Sequence, residues 1–133
     1  MKTLKSNVQE FLENKKWFYS ETDDGFVLDV EITPHQFSCN FHVLEKEQII
    51  VFYSRYPHKI KKKQLKPLAW LITELNIHFS IGNFELDTHS GILRYKTSVD
   101  VEGLEVPFLL IDNLVNANLS IFTENYSQIL KKS

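Results

Sequence analysis

From Gly82 to Val101 apolar and polar residues alternate with the two-residue period of a half-buried strand. Phe84 and Leu86 oppose Asn83, Glu85 and Asp87; after Thr88-His89-Ser90-Gly91, the positions Leu93, Tyr95, Thr97, Val99 and Val101 oppose Arg94, Lys96, Ser98 and Asp100. A polar run closed by glycine supplies turn chemistry, so this stretch predicts a hairpin with one face in a core and one in water. The same period runs through Phe26–Ile32, where Phe26, Leu28, Val30 and Ile32 face away from Val27, Asp29 and Glu31. Thr33-Pro34-His35 interrupts it, because proline cannot donate to a strand ladder. A further strand is expected from Gln36, with Phe37, Cys39, Phe41 and Val43 in phase. Ahead of these, Trp17-Phe18-Tyr19 reads as a short aromatic strand that turns at Asp23-Asp24-Gly25. Behind them, Ile49-Ile50-Val51-Phe52-Tyr53 is apolar on both faces, which predicts a strand covered twice or lying against another subunit.

Three stretches change to helical spacing. Leu4, Val8, Phe11 and Leu12 give an amphipathic helix over about Thr3–Lys16. Leu65, Leu68, Ile72, Leu75 and Phe79 give a second, which begins either near Lys59 or near Lys66 with Pro67 in its first turn, where a missing N–H costs nothing. Phe108, Ile111, Leu114 or Val115, Leu119, Phe122, Tyr126 and Ile129 give a third, with Asp112, Asn116, Glu124 and Gln128 left for solvent. The predicted fold is α+β: a single domain over 1–133, an antiparallel sheet with three helices in the order α-β-β-β-β-α-β-β-α.

Composition adds bounds. A chain of 133 residues, 43% hydrophobic, is long enough for one core and too short for two ordinary domains. Its formal net charge of -2 gives no overall attraction to nucleic acid or an acidic membrane. A lone Cys39 in an alternating segment reads as a buried, reduced thiol. No apolar run approaches a membrane span and the N-terminus lacks a signal-like core, so a cytoplasmic protein is expected.

No catalytic constellation is visible. His35, His42, His58, His78 and His89 have no metal-ligand spacing and one cysteine cannot build a cluster, so no metal and no cofactor is expected. His42 lies three residues from Cys39, on the opposite face of a strand, and cannot serve it as a base. The carboxylate pairs Asp23/Asp24, Asp29/Glu31 and Glu85/Asp87 fall in turns or on wet faces, and no glycine belongs to a phosphate loop. The strongest charge feature is residues 58–66, HKIKKKQLK, where Lys59, Lys62, Lys63 and Lys66 would share a face of a helix that began early. Lysines at a helix N-terminus oppose its dipole, which makes them a candidate anion-binding group; a solvated face is the plainer alternative. Stacking aromatics beside them are limited to Tyr53 and Tyr56, so nucleic acid is not the expected partner.

Several residues carry a resemblance: Leu75-Asn76, Gly82-Asn83-Phe84-Glu85-Leu86-Asp87, Gly91, the run from Arg94 to Gly103, Asn118 and Tyr126. On them the C-terminal half resembles the YbjN-like family of small bacterial proteins, most closely its cyanobacterial branch. The resemblance implies a fold similar to type III secretion chaperones, which dimerise and bind other proteins; the lysine-rich stretch is not part of it. The expected function is a non-enzymatic protein-binding module, a chaperone-like adaptor or regulator of a partner protein acting as a homodimer. Trp17, Phe18, Tyr19, Ile50 and Phe52 are its candidate binding or dimer surface. The alternatives are a small-ligand binder or weak enzyme with a pocket between sheet and helices and His42 or His78 near carboxylates, and an anionic-partner binder at the lysines.

Overall fold

The computed structural model describes residues 2–133 and contains the predicted order of elements. These are α1 (Leu4–Lys15), β1 (Ser20–Thr22), β2 (Gly25–Ile32), β3 (His35–Leu44), β4 (Ile49–Arg55), a 3-10 turn (Lys62–Gln64), α2 (Leu65–Asn76), β5 (Asn83–Leu86), β6 (Leu93–Asp100) and α3 (Phe108–Leu130). The strands form one antiparallel sheet in the order β1-β2-β3-β4-β6-β5. Four strands meander; α2 then carries the chain past one strand position to β5 at the far edge, and β6 returns to fill the gap beside β4.

The alternation read from the sequence decides which face is covered. Phe26, Leu28, Val30, Phe37, Cys39, Phe41, Val43, Ile50, Phe52, Phe84, Leu93 and Tyr95 point to one side and form a single core with the buried stripes of all three helices. The longest stripe belongs to α3, whose Ile111, Val115, Phe122 and Ile129 are buried around the fully buried Asn118. Aromatic edges fill the layer between: Phe37 and Tyr56 both meet Phe122, with ring centroids 4.9 Å apart in each pair.

Local chemistry sets the boundaries. At the start of α1 the Thr3 hydroxyl accepts the Ser6 N–H, and the Glu45 carboxylate, from the β3–β4 turn, accepts the Leu4 and Lys5 N–H groups at 2.7 and 3.2 Å. A carboxylate on orphan helix amides satisfies donors and favours the dipole, so Glu45→Ala is expected to lower stability by about 1 kcal/mol, read as a lower urea midpoint. At the other end Lys16 adopts φ 59 and the Trp17 N–H reaches back to Leu12 O, a C-terminal cap.

Some expectations are corrected, and the open choice for the middle helix is decided. The residues 17–19 are not a strand: Trp17 is held in the cap of α1, and pairing begins only at Ser20. The middle helix takes the later start, from Leu65, with Pro67 in the first turn, and it stops at Asn76, before Phe79. Lys59 therefore precedes any helix and Lys62 and Lys63 lie in the 3-10 turn, so the four lysines do not share one helical face. The β5–β6 connection is also longer than a tight turn. Asp87 Oδ1 accepts the His89 and Ser90 N–H groups, and Gly91 turns the chain at φ 78.

Candidate protein-binding surfaces

An antiparallel sheet has two edges, and here they differ. Each edge residue points its N–H and C=O alternately inward and outward. On β5 the outward-facing backbone pairs belong to Phe84 and Leu86, and the Asn76 side chain at the end of α2 takes both groups of Phe84: Phe84 N–H donates to Oδ1 at 2.8 Å and Nδ2 donates to Phe84 O at 3.1 Å. That amide stands in for a neighbouring strand at the middle of β5 and leaves only Leu86 of this short edge facing outward. The opposite edge is open. The three-residue β1 pairs only with Gly25–Val27 and leaves Leu28–Ile32 of β2 with β3 alone. Even-numbered residues of this segment bond toward β3, as the 2.7 Å bond from Val43 N to Asp24 O shows. By alternation the N–H and C=O of Asp29 and Glu31 point outward, unpaired by any strand. Both residues are exposed.

The aromatic run lies beside this edge. Trp17 packs edge-on against Phe11 at 6.1 Å and Tyr19 against Phe26 at 5.3 Å, while Gln9 Nε2 donates to the Tyr19 hydroxyl. Phe18, between them, is turned outward and 96% exposed. With Ser20, Val27, Asp29, Gln36 and Ser38 it borders an open groove of about 470 Å³ along β2. Of the predicted surface residues, Phe18 is free and Trp17 and Tyr19 are half-buried anchors. Ile50 and Phe52 are fully buried under the helices and are no surface at all.

The doubly apolar β4 thus has a different cause from the one expected. On its helix-free face Val51 and Tyr53 are shielded by long neighbours from the same sheet: the Arg94 guanidinium lies 4.0 Å from the centre of the Tyr53 ring. Arg94 and Lys96 reach Glu85 at 2.9 and 2.7 Å. Partial burial resists ionisation of Glu85, but the hydrogen bonds from Lys96 and Arg94 outweigh it and hold its carboxyl below the usual range. Large exposed apolar side chains lie instead on and after α2, at Trp70 (71% exposed), Ile77 (79%) and Ile81, and around the start of α3, at Leu104 and Leu109. Ile77 is the C-cap of α2, seven residues after Trp70, so that the two fall on about the same side of the helix.

The chemical candidates stay apart. Burial pushes the Cys39 thiol up to about 12, against a lowering hydrogen bond from Ser54, so it stays protonated at neutral pH. His42 sits on the opposite face, 3.2 Å from Asp24 at the sheet surface. His35 stacks on Phe37, His58 meets the Ser133 hydroxyl, and His78 and His89 are exposed in separate turns. Among the described residues no group of three metal-ligating side chains comes together, and no helix is long and apolar enough to cross a membrane. Lys59, Lys62, Lys63 and Lys66 are all exposed and in no ion pair among the described residues.

Neither a family profile nor a curated protein sequence matches the chain. Solved structures do. YbjN from E. coli superposes with a TM-score of 0.69 at 15% identity, covering 93% of this chain and 86% of that one. A chain of the HopA1-SchA chaperone-effector complex gives 0.63 at 12% identity, covering 90% of each. One from the ExoT-SpcS complex of Pseudomonas aeruginosa gives 0.60 at 12%, covering 93% and 98%. The chain is thus an α+β domain whose fold is similar to that of YbjN and of type III secretion chaperones, as the residues of its C-terminal half imply.

Proposed function

We propose that this chain is a non-enzymatic protein-binding adaptor that takes up an extended segment of a partner protein as an added strand at the free edge of β2. One observation carries the reading: Asn76 caps the middle of the short β5 edge, whereas the β2 edge leaves the Asp29 and Glu31 backbone unpaired beside an exposed phenylalanine and a groove. Soluble domains usually blunt such an edge, and an added strand satisfies its bonds while Phe18 and Val27 supply side-chain contacts. The likeness to a chain of a chaperone-effector complex supports a protein as the partner. The test is quantitative capture from a lysate of the source organism with the wild-type chain and Asp29→Pro side by side. Proteins enriched by the first and lost from the second support the reading; identical profiles contradict it.

The homodimer belongs to the same proposal, and its contact is placed on α2. After Phe18, Ile77 and Trp70 are the most exposed large apolar side chains of the described residues, and α2 meets the sheet mainly at β5, which leaves them free for a contact. Light scattering is expected to give twice the chain mass, and Trp70→Glu to reduce it to the monomer with the fold intact. A wild-type monomer at micromolar concentration removes the dimer from the proposal.

A further inference from the structure

The lysines noticed in the sequence become part of something larger once the chain is folded. The His58 ring nitrogen Nε2 lies 2.9 Å from Ser133 Oγ, which brings the C-terminal Lys131 and Lys132 against the start of the basic run. Arg55, Lys59, Lys61, Lys62, Lys63, Lys66, Lys131 and Lys132 are all exposed there, and none forms an ion pair among the described residues. Eight of the fifteen Lys and Arg are in this group, so the other seven stand against all seventeen Asp and Glu, a surplus of ten negative charges over the remainder. A near-neutral chain is therefore strongly polarised. Ordinary solubility is served by mixing the two signs, and a segregated field of one sign acts by steering an oppositely charged partner. Helix electrostatics does not account for the arrangement either, since the start of α2 has no acidic residue in its first turn and no side-chain cap. The patch also has an apolar floor: Arg55, Tyr56, Pro57, His58, Lys59 and Ile92 line a groove of about 220 Å³.

We infer that this end of the molecule docks a short acidic stretch of a polypeptide partner, with an apolar side chain of that stretch in the groove beside Ile92. The inference rests on the protein-binding reading and adds a second contact to it. A nucleic acid fits less well. The two tyrosines are unavailable for stacking, Tyr53 under Arg94 and Tyr56 buried face to face with Tyr126 at 5.1 Å. A phosphate polymer would also run on past the patch over the negative remainder, whereas a short acidic segment ends within it; screening over about 8 Å makes that difference of reach decisive.

The experiment is fluorescence anisotropy with a labelled peptide of about ten residues, Glu and Asp around one central Leu, at about 50 mM salt and again at about 300 mM, where screening is much stronger. Wild type is expected to bind at the lower salt and to lose at least about tenfold in affinity at the higher. Lys62→Glu/Lys63→Glu, at exposed positions that leave the fold unaffected, is expected to cost at least about tenfold, and Lys131→Gln/Lys132→Gln a smaller loss, while Lys2→Glu/Lys46→Glu changes nothing. Asp29→Pro keeps peptide binding, because the free edge is a separate contact. No binding at low salt, equal binding by the Lys62/Lys63 variant, or tighter binding of a DNA duplex of about twelve base pairs than of the peptide overturns the inference. The adaptor reading stands in each of those cases if its captured proteins still depend on Asp29.

Discussion

Replacing Asn118 by leucine is expected to lower the stability of the domain by about 3 kcal/mol, a fall in melting temperature on the order of 10 °C for a chain of this size. Asn118 lies in the middle of α3, fully buried, and its side chain ties the helix to the adjacent strands β4 and β6. Oδ1 accepts the Ser54 hydroxyl proton at 2.6 Å; Nδ2 donates to Phe52 O at 3.0 Å, to Tyr95 O at 3.1 Å and to Thr97 Oγ1 at 3.3 Å. Thr97 in turn donates to Leu114 O, and Ser54 lies 3.5 Å from Cys39 Sγ. Every polar atom of this buried group has a partner. Leucine leaves the Ser54 hydroxyl without its acceptor and takes the second donor from the Phe52 and Tyr95 carbonyls, which keep their ladder bonds; in a low-dielectric interior an orphaned group costs about 1–3 kcal/mol, and the added apolar surface cannot offset the loss. Asn116→Leu, on the exposed side of the same helix, is expected to stay within about 0.5 kcal/mol of wild type. Thermal unfolding of both variants checks the pair. Equal melting temperatures would mean that the network contributes nothing that packing does not.

Asp29→Pro is expected to abolish partner capture, or weaken it at least about tenfold, with little change in stability. A proline inside a sheet normally breaks a ladder bond, but the Asp29 N–H points to the free side and bonds to no strand, so only the outer edge loses a donor. Leu28 before it is already extended, as a residue preceding proline must be. Narrowing φ in an edge strand costs about 1 kcal/mol or less, and the ring then blocks approach of an added strand by its bulk as well as by its missing bond. Asp29→Ala keeps the backbone and is expected to keep capture. If alanine and proline weaken capture equally, the partner recognises the carboxylate and not the edge.

Much of the fold is legible in the chain because a period of two or of 3.6 is a local property, and the strands from Phe26 to Leu44, the returning hairpin strand and α3 follow it closely. The misreadings occur where a local pattern is overruled from a distance or by a cap. Trp17-Phe18-Tyr19 has strand composition, yet the left-handed Lys16 commits the following amide to the end of α1. Ile49–Tyr53 is apolar on both faces not because a second layer covers it but because Arg94, two strands of sequence away, lies over Tyr53. The polar residues of consequence carried a weak signal. Asn118 occupies a position of the buried stripe, four residues after Leu114 and four before Phe122, where an amide is out of place unless it is bonded. Asn76 is among the residues that carry the resemblance, but its role was not legible, since ending a helix and capping a strand edge look alike in one dimension. The open edge was illegible for the same reason: which strand has one neighbour is a statement about pairing, and only the register shows that β1 stops at Val27.

Amide exchange at Asp29 and Glu31, followed by NMR in the free protein and with a captured partner bound, is the most direct test of strand addition. The two amides are expected to exchange quickly in the free chain, among slowly exchanging neighbours bonded to β3, and to become protected in the complex. Binding that leaves both amides in fast exchange would contradict strand addition at β2 and place the partner elsewhere on the molecule.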